Sequence, residues 1–226
     1  MPTQPKFEGL NIVLRGPFSP TVFQPKWLKS IGLLRESEAE EAKVEVIHGN
    51  LTSFSTSWLA FQATEDYLNI STTQASMYEP LRDLGLSILR YFPASPMLAL
   101  GINADFHYMV ENRAAYDRVG NVLVPKERWE ALYPRPGMVS LTVRYPRPDD
   151  LKGHINVKVE PILQMGDDSN MVLVNINDHY DLRMIAEAKN VDSNRAAQDV
   201  LQEQLQASLG RARQFSKMIV NIAEEG

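Results

Sequence analysis

The sequence contains no cysteine. Disulfides, thiol nucleophiles, zinc fingers and iron–sulfur clusters are therefore excluded. No run of about 18 apolar residues occurs, so no segment reads as a membrane-spanning helix. The opening stretch MPTQPKFEGL lacks the charged start and apolar core of a signal peptide. Basic charge is also scarce. There are 23 Lys and Arg against 28 Asp and Glu, a net charge of −5, and the pI is about 5.4. A general electrostatic grip on nucleic acid or on an anionic membrane needs clustered Lys and Arg, so neither is expected. The phosphate-binding signatures GxxxxGKS/T and GxGxxG are missing, as is the GxSxG elbow of serine hydrolases. These absences point to a soluble, cytoplasmic protein without a cofactor.

What is present is an ordinary globular mix of 44% hydrophobic and 23% charged residues over 226 positions. That length allows one large domain or two fused small ones. A first strand is expected over Gly9 to Gly16, followed by a stretch cut into turns by Pro17, Pro20 and Pro25. Proline suits a first helical turn, so a short helix is expected from Pro25 with Trp27, Leu28 and Ile31 on its buried side. The acidic run Glu36 to Ala42 reads as a solvated loop or helix end. Three strand-like segments follow: Lys43 to Thr56, bent at His48-Gly49-Asn50, then Trp58 to Ala63 and Asp66 to Thr72. Met77, Leu81, Leu84, Ile88 and Phe92 recur at helical spacing, and Pro93 ends that helix.

The second half repeats the order. A strand over Met97 to Val110 leads into a polar, helix-rich connection from Asn112 to Tyr133. Three strands are then read from Val139, Leu141, Val143 and Tyr145, from Ile155, Val157 and Val159, and from Val172, Val174 and Ile176. A long helix closes the chain from about Asn194 to Glu224. Its stripe is Leu201, Leu205, Ser208, Ala212, Phe215, Ile219 and Ile222. Both halves thus read strand, helix, three strands, helix. The expected fold is α+β: a duplicated β-α-β-β-β-α unit, residues 1–95 and 96–226, as two antiparallel sheets or one continuous large sheet, with two long helices on one face. The order is similar to the half-repeat of TATA-binding-protein-like folds, an analogy of fold that carries no function. Four stretches, RGPFSPTVFQPKWL, ALGINADFHY, VKVEP and NDHYD, resemble segments found in uncharacterised bacterial proteins of similar length. That resemblance implies a bacterial origin and no particular chemistry.

The candidate sites are few. The four histidines, His48, His107, His154 and His179, show neither HxxxH nor HxH spacing, so no metal site is expected. His179 and Asp181 share one face of a strand, while Asp178 and Tyr180 share the other. His107, with Asp105 on its face, is the natural partner for His179 and Asp181 should a pocket lie between the halves. Asp149-Asp150 and Asp167-Asp168 sit in turns that tolerate Asp well, and Ser53 to Ser57 reads as a strand edge. At about 1.5 Å per residue the last helix spans some 45 Å, more than a small sheet is wide. Its stripe, with Leu205, Phe215 and Ile219, is a candidate for pairing with a second copy; the alternative is core. The aromatics Phe18, Phe23 and Trp27 are a candidate partner anchor or a plug for the sheet end. The leading expectation is a non-catalytic macromolecular binding or assembly protein, a homodimer with a protein partner. The alternative is a small enzyme or ligand-binding protein using His107, His179 and Asp181.

Overall fold

The computed structural model describes residues 4–131, 133–162 and 170–224. Asp167-Asp168 lies outside them. Among the described residues nine antiparallel strands form a single sheet. They are β1 (Phe7–Arg15), β2 (Lys43–His48), β3 (Leu51–Ser55), β4 (Ala60–Thr64), β5 (Tyr67–Thr72), β6 (Ala99–Met109), β7 (Leu141–Pro146), β8 (Gly153–Ile162) and β9 (Met171–Asp181). The helices are α1 (Pro25–Ser30), α2 (Glu36–Glu40), α3 (Tyr78–Tyr91), α4 (Arg113–Leu123), α5 (Glu127–Glu130), α6 (Leu182–Lys189) and α7 (Ser193–Glu224). The strand order is β2-β3-β4-β5-β1-β6-β9-β8-β7. The initial strand of each half therefore stands at the centre, with Ile12 opposite Ile102.

Strict alternation organises the sheet. Every second residue of β9 is buried, from Val172 to Tyr180. Registers carry that phase across the neighbours. Val174 faces Phe106, and Ile176 faces Ala104 on one side and Val157 on the other. Leu10, Ile12 and Leu14 continue it through β1 to Leu68 and Ile70 of β5. Helices pack on this apolar phase. Gly85 of α3 sits so close to Ile70 and to Leu201 of α7 that a side chain there would press on Leu201. Ser208 and Ser216 of α7 hydrogen-bond the buried hydroxyls of Tyr180 and Tyr108.

Three segments differ from the sequence reading. The strand expected over Lys43 to Thr56 is two, because Gly49-Asn50 closes a two-residue hairpin with His48 opposite Leu51. The first half therefore carries one strand more than the second. The acidic run includes the short helix α2, whose Glu38 carboxylate accepts from the backbone N–H of Arg35 and from the Trp58 indole. Between β9 and α7 lies the unforeseen helix α6. Asp181 caps its start by accepting from the N–H of Met184, and Asn190 ends it in the left-handed conformation.

The apolar stripe of α7 is filled by the chain itself. Leu201, Leu205, Ser208, Ala212 and Ile219 are buried, and burial continues from Ala196 to Ala223. Phe215 is half-buried and tilts on Tyr145 at 5.1 Å. The helix therefore lies along its own fold instead of projecting: Ser208 meets Tyr180 of β9, Ser216 meets Tyr108 of β6, and Arg118 of α4 donates to the Ala223 carbonyl near its end. Phe23 is buried likewise, in a cluster with Phe18, Trp27, Phe61 and Phe92. A partner would have to displace the core to reach Phe23, Leu205 or Ile219. Only parts of Phe18, Trp27 and Phe215 are accessible.

Candidate binding face and its buried ionic support

The other phase of the same strands makes a polar face. Side by side across the sheet run Lys43, Ser55, Ala60, Ser71, Asn11, Asn103, Asn177, Asn156 and Arg144, one residue from each strand. At about 4.8 Å per strand this row is roughly 38 Å long. Its second half is hydrogen-bonded end to end. Arg144 Nε donates to Asn156 Oδ1 at 2.9 Å, Asn156 Nδ2 to Asn177 Oδ1 at 3.4 Å, and Asn177 Nδ2 to Asn103 Oδ1 at 2.6 Å. In the next row Asn175 Nδ2 donates to Asp105 Oδ1 at 2.7 Å. Oδ1 of Asn11 and of Asn69 is buried and accepts no hydrogen bond. Gly101 is the gap in the surface: a methyl group there would crowd the amides of Asn103 and Asn177.

All four histidines stand on this phase of the sheet, but the structure does not gather the expected trio. His107 stands opposite Leu173, whereas His179 stands opposite Gly101. Six residues of strand separate them, roughly 20 Å. His107 instead packs on Phe7, with ring centroids 4.7 Å apart. His179 stacks on His154 at 4.5 Å, because β8 pairs the two directly. Asp181 is committed to capping α6. Among the described residues no group of three His, Asp or Glu is placed to hold a metal ion. Burial lowers the pKa of both stacked rings. For His154 the charges of His179, Arg144 and Arg147 add to this. For His179 the Asp181 carboxylate opposes burial, and Arg144 and Arg147 reinforce it.

Beneath the histidines, on the helix-packed side, lies a cluster that sequence reasoning missed. Asp178 is held between two guanidinium groups. Arg147 Nη1 bonds its Oδ1 directly, and Arg211 Nη2 of α7 reaches its Oδ2 at 2.6 Å. Ser208 Oγ donates to the same Oδ2 at 2.7 Å. Arg147 also grips Asp149 with two bonds, 2.8 and 2.6 Å, and lies flat over the Tyr180 ring at 3.8 Å. The side chains of Arg147 and Asp178 are 1% and 2% exposed, so this pairing is shielded from solvent. Burial opposes the charge of Arg147, but the Asp149 hydrogen bond and the surrounding negative groups outweigh it and raise its pKa. Asp149 is likewise pulled below its ordinary value: the bond and charge of Arg147 exceed the penalty of burial. The turn role of Asp149 also holds, since its carboxylate accepts from Leu151 N–H.

Gly153 allows this corner to close. Its φ of +145° is one that side chains rarely adopt, and a Cβ there would lie 2.0 Å from the carbonyl oxygen of His179. The backbone of β8 thus touches β9 where the histidines stack.

A cavity of about 460 Å³ lies apart from these features, between α4 and the segment before β7. Arg113, Lys126 and Arg135 line it, with Tyr116, Asp117, Met138, Pro161 and Val172. His107, His179 and Asp181 do not.

The asparagines carried a signal that single-residue scanning overlooks. Asparagine is depleted in strands, yet Asn11, Asn69, Asn103, Asn156, Asn175 and Asn177 all stand within strands and all on the polar phase. The ionic cluster left no such trace, because Arg147, Asp178 and Arg211 meet only through folding.

Asp178→Asn keeps the shape but leaves two guanidinium groups facing a neutral amide, and is expected to destabilise the fold by about 3 kcal/mol. Urea denaturation should show the lower midpoint; an unchanged midpoint would mean that the cluster is not a support. The histidine pair gives a pH dependence. Its folded pKa values lie below the unfolded value, so its contribution is complete above about pH 6.5 and is lost as pH falls through the folded values. Melting temperature should therefore fall as pH is lowered below about 6.5, and His154→Asn with His179→Asn should flatten that fall.

No protein-family model matches this chain, and no curated protein matches it either. The geometry alone supports a functional reading.

Proposed function

We propose that this chain is a non-catalytic macromolecular binding or assembly protein of the bacterial cytoplasm, and that the asparagine-lined sheet face is its recognition surface. The carrying observation is the row of side-chain amides across β1, β6, β9 and β8. Each amide offers a donor and an acceptor. Neighbouring strands hold them at fixed spacing, so little ordering is needed when a partner arrives. Charges on it are paired or hydrogen-bonded: Lys158 pairs with Glu160 at 2.7 Å, and the neutral Asn175 amide donates to Asp105. Such a face suits a polar protein partner read by hydrogen bonds better than a polyanion held by net charge.

The two-part strand order supports the duplicated-unit reading. Outward from the β1–β6 pair the sheet continues through hairpin-connected strands on each side, with α3 packed against one half and α7 against the other. On this view β2–β3 is an elaboration of the first unit, and the two long helices share the apolar face. The segments 1–95 and 96–226 then form one unit through their shared centre.

Affinity capture from the source cells tests the recognition surface. Asn103→Lys with Asn177→Glu, which places opposite charges across this strand pair, should lose partners that the unaltered chain retains, at a closely similar melting temperature. Equal capture by both would overturn this assignment.

A second reading, a ligand-binding protein, is favoured by the cavity beside α4. Three cationic residues against one carboxylate line a space suited to a small molecule. Among the described residues Arg135 makes no ion pair, and its φ of 60° is rare for a residue with a side chain. An apolar carboxylate such as benzoate should then raise the melting temperature, and Arg135→Ala should abolish the rise. No shift at millimolar benzoate, or one that survives Arg135→Ala, counts against it.

A further inference from the structure

The two edges of the sheet are built differently. An edge strand presents unpaired N–H and C=O groups, which invite another strand unless something blocks them. β2 is guarded. Its register on β3 slips between Val44 and Val46, and it carries Lys43, Glu45 and His48. β7 is guarded less: Arg144 is its one charged residue, and Pro146 stands only at its end. It runs in unbroken register on β8 from Leu141 opposite Val159 to Pro146 opposite His154. Among the described residues its outer side pairs with nothing. Val143 is 39% exposed and Val139, just before the strand, 80%. Both are β-branched residues that favour strand pairing.

We propose that β7 pairs antiparallel with β7 of a second copy about a two-fold axis, joining two nine-stranded sheets edge to edge. This rests on the assembly reading above, but not on what the amide face binds.

The strand's own sequence selects a register. With Val143 on the axis, Val143 meets Val143, Leu141 meets Tyr145, and Thr142 meets Arg144. Leu141, Val143 and Tyr145 belong to the apolar phase, since their β8 partners Val159, Val157 and Ile155 are buried. Pairing them buries apolar against apolar. Thr142 and Arg144 belong to the polar phase, opposite Lys158 and Asn156. There a neutral hydroxyl meets each guanidinium. Centring on Arg144 would instead oppose two like charges, which destabilises a cross-strand pair. Centring on Thr142 would draw Val139 and Ser140, outside the strand, into the ladder. The Val143 register therefore pairs the strand most fully with itself without a charge conflict. It also runs the polar face of one copy into that of the other, with the Arg144 ends of the two amide rows meeting at the axis.

Sedimentation velocity of the full chain across a concentration range tests this. The expected mass is twice 25.5 kDa, falling to a single chain on dilution. Thr142 is exposed, so charge can be added there without disturbing the core. Thr142→Arg faces Arg144 of the second copy and should weaken the dimer by about tenfold. Thr142→Glu should tighten it, and added salt should shrink both effects. Val143→Lys should give monomer, with circular dichroism confirming the fold. Ile47→Lys on β2 should leave the mass unchanged, as should Asn103→Lys with Asn177→Glu, which separates this interface from the recognition face. A wild-type monomer at every concentration overturns the proposal. So does a dimer whose dissociation constant ignores all three β7 substitutions, or one that Ile47→Lys dissolves.

Discussion

A carboxylate inside the apolar phase of the sheet is the constraint on which this corner of the molecule depends. Asp178 follows Val172, Val174 and Ile176 inward because strand alternation leaves it no other side. Burying its charge alone would cost several kcal/mol. Arg147, from the segment after β7, and Arg211, from α7, meet it there. One carboxylate therefore joins the last strand of the chain, the loop beyond the edge strand and the longest helix. Asp149 and Tyr180 complete the shell around Arg147. The helix is thereby fixed along its length as well as by its apolar stripe.

That support lies directly beneath the surface proposed to act. One residue on from Asp178, His179 points the other way and stacks on His154; one residue back, Asn177 joins the amide row. A rigid strand gives both faces their precision. Amides spaced by backbone registers cannot drift relative to one another, so a partner meets a pre-formed pattern. The same rigidity carries the row to β7, where the sheet stops at an unguarded edge.

Much of the fold could be read along the chain. Period-two runs marked the strands of both halves, and the spacing of Leu201 to Ile222 marked α7. The hairpin inside Lys43 to Thr56 was concealed because a two-residue turn occupies no more sequence than a bend. Helix α6 was concealed because Leu182 to Lys189 is short and its start signal, Asp181, was read as a candidate site residue. The site was less legible. His179 and Asp181 were correctly placed on one face, but a shared face does not make a shared site. His107 enters β6 at a register that sets it six residues away from His179, and register depends on pairing between strands.

The sequence by itself determined which residues face inward and which outward, because alternation and helical spacing are local properties of the chain. It determined the α+β composition and the absence of thiol chemistry. Only the tertiary structure decided which outward residues are neighbours. The polar row draws one residue from each of nine strands, four of them asparagines, and the ionic cluster joins positions 147, 178 and 211. Such neighbourhoods are set by strand order and register, which arise from long-range pairing and leave no mark on any single stretch of sequence.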